Sequence, residues 1–170
     1  MIDLDAEFVR AMTVFRRPDV LPKFEWLGLS LKIGWGLAPV EFYGPNDRYY
    51  QPKSPDGVFA VIAPVVQDGD LIDLCAIRLP DRHVGTRLGQ GKALGLDVID
   101  RCRWDCRELQ LVEDPLRWLP DCSAFVIDWW AADFTLADLK TINCASRDLA
   151  ERVEKAFRVS ARLPELSVTL

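Results

Sequence analysis

A single histidine, His83, and two methionines are all that 170 residues hold of these types, and no long hydrophobic run is present. One imidazole leaves little room for His-based acid–base chemistry, and no Ser–His or Cys–His arrangement has recognisable flanks. The longest uncharged stretch, Gly57 to Gln67, falls far short of the ~20 residues of a spanning helix, so no membrane partner is expected. Positive charge is also scarce. Lys and Arg number 21 against 26 Asp and Glu, a net charge of −5. Generic nucleic-acid binding neutralises phosphates with basic side chains, and the net charge disfavours it. There is no internal repeat and no linker rich in Gly or Ser. The start, Met1 to Asp5, is acidic where a secretory signal is basic. Five cysteines, an odd number, fit a reduced cytoplasmic protein with buried thiols.

What is present is globular. Hydrophobic residues make up 49% and charged residues 28%, close to the average for folded domains. The length suits a single globular domain over 1–170. Phe8, Val9, Met12 and Phe15 recur at helical spacing and predict a helix over Asp5–Phe15, with an Asp as cap. Val20 to Trp35 reads as a short helix plus an irregular segment. Strand chemistry follows: Val40–Tyr43, a Gly44–Asp47 turn, Arg48–Tyr50, a Ser54–Gly57 turn, then Phe59–Val66 and Leu71–Leu79 around Asp68-Gly69-Asp70. The last pair is the strongest hairpin signal in the chain.

Beyond Pro80 the pattern alternates. Gly91–Trp104 reads as a helix, Leu109–Val112 as a strand and Pro115–Leu119 as a short helix opened by Asp114. Ala124–Trp130 and Leu139–Cys144 read as strands. Ser146 caps a helix with a Leu149, Val153, Ala156, Phe157 stripe. Its exposed side carries Glu151/Lys155 and Glu154/Arg158 at i,i+4. The fold class expected is α+β: an antiparallel strand meander in the N-terminal half, then alternating helices and strands, in one mixed sheet covered by helices.

Two constellations invite a chemical reading. Residues 85–93, Gly-Thr-Arg-Leu-Gly-Gln-Gly-Lys-Ala, invite comparison with a phosphate-binding loop. The comparison fails at Thr86, where the motif needs glycine, and at Ala93, where it needs a hydroxyl. A less demanding reading survives: Arg78, Arg82, His83, Arg87 and Lys92 lie in a segment whose only acid is Asp81, and together they form a candidate anion site. Asp128, set among apolar and aromatic residues, is the carboxylate most open to a catalytic role. Cys102 and Cys106 form the only close thiol pair, too little for a metal site with one histidine. No catalytic residue, metal or cofactor is assigned.

Aromatic pairs carry the second signal. Trp129 and Trp130 adjoin on an expected strand, so they face opposite ways and one of them needs a cover. Tyr49 and Tyr50 pose the same question. These four are candidate interface residues. The leading reading is a non-catalytic binding or interaction domain with a protein partner or a homodimer. An enzyme with an acidic site around Asp128 and the loop 85–92 is the second reading. A nucleic-acid accessory protein using segment 78–92 is the third.

Overall fold

The computed structural model describes residues 2–20, 22, 24, 34–158 and 165–168. Most of the segment expected as a short helix and irregular chain, 20–35, lies outside them. The fold is α+β. The chain divides into two compact units, Met1–Gly91 and Lys92–Leu170.

The first unit opens with helix α1, Leu4–Phe15, capped by Asp3, whose carboxylate accepts the Ala6 N–H at 2.9 Å. Five strands follow: β1 (Gly36–Tyr43), β2 (Tyr49–Pro52), β3 (Val58–Gln67), β4 (Asp70–Arg78) and β5 (Val84–Thr86). They close into a barrel in the order β1-β2-β5-β4-β3. The expected hairpin is β3–β4. Asp68 and Gly69 both sit at positive φ between Gln67 and Asp70, the pattern of a two-residue type I′ turn. The expected antiparallel strands are present, but β1 lies between β2 and β3, so the order is not that of a simple meander, and three residues from the basic, Gly-rich segment close the barrel. Strand β5 pairs antiparallel with β4 and parallel with β2 at Tyr49 and Thr86. Ala11 of α1 joins Val40, Tyr50, Ala60, Ile62, Leu74 and Ala76 in one core.

The second unit holds β6 (Ala93–Leu94), α2 (Leu96–Asp105), β7 (Glu108–Leu111), β8 (Ser123–Val126), α3 (Ala132–Thr135), β9 (Thr141–Cys144), α4 (Arg147–Phe157) and β10 (Glu165–Val168). Its sheet runs β10-β9-β7-β8-β6. The first four of these strands are parallel, and β6 is antiparallel to β8. The strands thus form two sheets where one mixed sheet was expected. The first is edgeless and built of hairpins, and the second is built on parallel pairing.

Two element boundaries also differ from expectation. The helix expected over 91–104 starts only at Leu96. Ala93 and Leu94 pair with Val126 and Phe125 instead. Gly95 then turns the chain at φ 79°, where a Cβ would lie 2.5 Å from the Ser123 carbonyl oxygen, so only glycine fits. The strand expected over 124–130 ends at Val126. Helix α4 begins as expected: Ser146 Oγ accepts the Leu149 N–H at 3.1 Å, and Leu149, Val153 and Phe157 are buried. Its expected ion pairs are replaced. Glu151 takes Arg147 at 3.1 Å, and Lys155 and Arg158 make no ion pair among the described residues.

Among the described residues, no helix is long and apolar enough to cross a membrane. All five cysteines are free; Cys75, Cys102 and Cys144 are buried, and Cys106 and Cys122 are exposed. Burial pushes the Cys144 thiol up to about 11 and raises the Cys75 and Cys102 thiols as well. Only the thiolate reacts. A thiol reagent at pH 8 should therefore label Cys106 and Cys122 rapidly in the native protein and the other three only on unfolding. Equal labelling rates at all five, followed by peptide mass mapping, would contradict this packing.

Candidate functional site

The basic segment 78–92 is engaged within the chain at each of its cations. Arg78 makes a bidentate pair with Asp81 at 2.9 and 2.7 Å, reaches Asp47 at 3.5 Å and lies over the Phe42 ring. That guanidinium holds the Asp81 carboxyl well below the usual carboxylate range. His83 donates from Nε2 to the Asp47 carbonyl at 2.9 Å. The Arg82 guanidinium donates to the Leu79 carbonyl. Arg87 pairs with Glu7 at 3.0 Å, and both side chains are mostly buried. Lys92 pairs with Asp128 at 3.1 Å. Arg78 and His83 gather round Asp47, while Arg87 and Lys92 turn to other acids, so the five side chains each have their own partners.

The Gly-rich loop does cradle an anion, and the anion is the protein's own. Asp73 on β4 is fully buried. Its Oδ1 accepts the N–H groups of Leu74, Arg87 and Leu88 at 2.8, 3.1 and 2.9 Å. Its Oδ2 accepts those of Gln90 and Gly91, both at 2.8 Å. Successive backbone N–H groups turned onto one negative group are what phosphate-binding loops offer their ligand. Here the carboxylate fills that nest and fixes the loop beside the barrel wall. The loop needs its glycines for this path: a Cβ on Gly85 would meet the Phe42 ring at 2.9 Å.

The two tyrosines of β2 face opposite ways, as alternation requires. Tyr50 is a core residue, 1% exposed, and its hydroxyl donates to Glu7 at 3.3 Å. That burial removes it from any surface. Tyr49 lies on Tyr43, with ring centroids 5.8 Å apart.

The tryptophans stand on a turn rather than a strand, and Asp128 builds that turn. The Asp128 carboxylate accepts the Trp130 N–H at 3.1 Å, and its carbonyl accepts the Ala131 N–H at 3.1 Å. The Lys92 carbonyl in turn accepts the N–H groups of Ile127 and Asp128. An aspartate closing a local turn onto the backbone two residues on is the Asx arrangement. The residue singled out for its desolvation thus positions its aromatic neighbours.

Downstream, Arg103 of α2 fixes the other end. Its guanidinium donates to the Thr135 and Ala137 carbonyls, both at 3.0 Å, and pairs with Asp100. Held between these clamps are Trp130, 93% exposed, and Phe134, 83% exposed. Trp129 is half-buried. Arg152 of α4 stacks over its ring at 4.0 Å, and burial lowers the pKa of that guanidinium. An open groove of about 550 Å³ is lined by Trp129, Trp130, Asp133, Arg152, Lys155 and Ala156.

Sequence reasoning named Trp129 and Trp130 but missed Phe134, Arg152 and Arg103. Among the described residues, no three His, Cys, Asp or Glu side chains group as metal ligands. Set against known proteins, this chain matches no family model, no curated protein and no solved structure.

Proposed function

We propose that this protein is a non-catalytic interaction module that docks a protein partner on the Trp130–Phe134 turn. One observation carries the reading. Two large aromatics stand almost fully in solvent on a backbone pinned by Lys92–Asp128 at one end and by Arg103 at the other. Large exposed aromatics are costly to leave uncovered and are enriched in binding hot spots. A backbone fixed before binding loses little further freedom on docking, which favours affinity. Trp and Arg side by side, as Trp129 and Arg152 are, is the composition typical of such centres. The five unlinked thiols suit a reducing compartment, and the cytoplasm is the setting we infer.

The test is photo-crosslinking in cells that produce the chain. A benzophenone amino acid at position 134 should give discrete adducts with a partner protein, and Trp130→Ser should abolish them. The same probe at Val9, which is 55% exposed in the first unit, is the control. An identical adduct pattern from both positions would overturn the reading. Because neither aromatic is packed, Trp130→Ser and Phe134→Ser should each shift stability by no more than about ±0.5 kcal/mol, read by urea unfolding.

A further inference from the structure

We infer that the segment docking on this turn is acidic, with carboxylates flanking a bulky apolar side chain, and that Arg152 and Lys155 read those carboxylates. The inference rests on the interaction reading above and names the chemistry of the partner.

The argument is one of charge left over beside an apolar patch. On α4, Arg147 is answered by Glu151 at 3.1 Å. Arg152 and Lys155, with Arg158 at the helix C-cap, follow at steps of three, and among the described residues none of them has a carboxylate within ion-pair distance, Glu113 acting on Arg152 only at longer range. Arg152 lies over the Trp129 ring, with its Cζ 4.0 Å from the ring centroid. In that position its planar fork is already oriented and one face is shielded from water, so forming hydrogen bonds to a carboxylate orders little more of it. Lys155 lines the groove that Trp129 and Trp130 also line, and with Arg152 and Arg158 it lines a second groove along the same helix. An apolar side chain set against Trp130 in this groove brings its flanking residues to Arg152 and Lys155.

A polyanionic nucleic acid fits less well. Asp133 stands in the first groove, and Glu151 and Glu154 in the second. A continuous phosphate backbone would have to cross them, whereas a peptide places its charges singly. The salt dependence of a few such pairs is modest beside that of a chain of phosphates.

A phage-displayed random 12-residue library, selected on the immobilised full chain, supplies the probe. The best clone is then synthesised as a labelled peptide, with a second version carrying Asn and Gln in place of Asp and Glu. We expect selected sequences rich in Asp and Glu around an aromatic or Leu. The neutralised peptide should bind at least tenfold more weakly by fluorescence polarisation. Arg152→Gln and Lys155→Gln, tested singly, should each weaken the acidic peptide several-fold and leave the neutral one unchanged.

Selected peptides that need Trp130 but bind equally well when neutralised overturn this inference and leave the interaction reading standing. Peptides indifferent to Trp130→Ser, or no clones at all, overturn both. Self-association through Trp130 in sedimentation makes the occupant a second copy and overturns the acidic-segment inference alone. Tighter binding of oligothymidylate than of any acidic peptide overturns both.

Discussion

Replacing Asp73 with alanine is expected to destabilise the protein by more than about 4 kcal/mol. The side chain is fully buried and accepts five backbone N–H groups, four of them from residues 87–91. A hydrogen bond to a charged group contributes about 1.5–3 kcal/mol net, and a donor left unsatisfied in the interior costs about 1–3 kcal/mol. Water entering a loosened loop relieves part of this, so the sum is a ceiling. Even half of it is a large share of the ~5–15 kcal/mol that holds an ordinary domain together. Asp73→Asn should not rescue the fold. Its amide keeps one acceptor but turns an NH₂ group toward the N–H groups of the other side, and a loss of about 3 kcal/mol is expected.

Urea unfolding reads the magnitude, and amide hydrogen exchange reads the cause. The amides of Leu88, Gln90 and Gly91 should be protected in the native protein and should lose protection together in the variants, while the Arg87 amide keeps its bond to the Leu74 carbonyl at 2.8 Å. Asp70→Asn, at the exposed hairpin end of the same strand, should stay within about ±0.5 kcal/mol. An Asp73→Ala protein within about 1 kcal/mol of the native chain would show that the loop is held by something else.

Phe157→Ala should cost about 3–5 kcal/mol, the range for a buried aromatic truncated to a methyl group. Phe157 is 3% exposed and continues the Leu149, Val153 stripe of α4. The ring anchors the helix that carries Arg152 and Lys155. Loss of the anchor should therefore weaken both the fold and the docking of any acidic peptide. Val153→Ala removes two methyl groups from a fully buried site and should cost less, in proportion to the area lost. A change below about 0.5 kcal/mol for Phe157→Ala would mean that the helix is peripheral to its sheet.

The legible parts of the sequence were those with local causes. The β3–β4 hairpin shows itself because Asp-Gly supplies a turn and β-branched runs flank it. Helix α4 shows itself because Ser146 and a three-residue stripe lie within one stretch. Gly95 misled for the same reason. Leu94 and Val98 sit at helical spacing, and nothing nearby signals that Leu94 pairs with Phe125 across 31 residues. Trp129 and Trp130 were read as strand because an apolar run precedes them. The turn depends on the Asp128 side chain returning to the backbone, which periodicity does not register.

Asp73 was the hardest to foresee. Its partners are main-chain N–H groups 14 to 18 residues later, and these carry no side-chain signature. The one available clue was an acid in the middle of an apolar strand. The Gly-rich loop invites an anion-binding reading through its basic side chains, whereas the anion it holds is the chain's own Asp73 and the groups that hold it are backbone N–H groups.

The closed barrel has a consequence for the solubility of damaged or mutant protein. With β5 in place, every strand of the first unit has a neighbour on both sides, so no free row of backbone groups can recruit another chain. Strand β5 is only three residues long, and the loop that follows it is held at Arg87 by Glu7 and the Leu74 carbonyl and beyond Arg87 by the Asp73 carboxylate. If that loop detaches, β2 and β4 become bare edges of an open four-stranded sheet, and six of the nine residues of β4 are apolar. Unpaired apolar edges are the usual starting point for intermolecular strand pairing. Partial release at Asp73 should therefore lead to concentration-dependent aggregation before full unfolding, with the short fifth strand acting as the seal that keeps the monomer from templating fibrils.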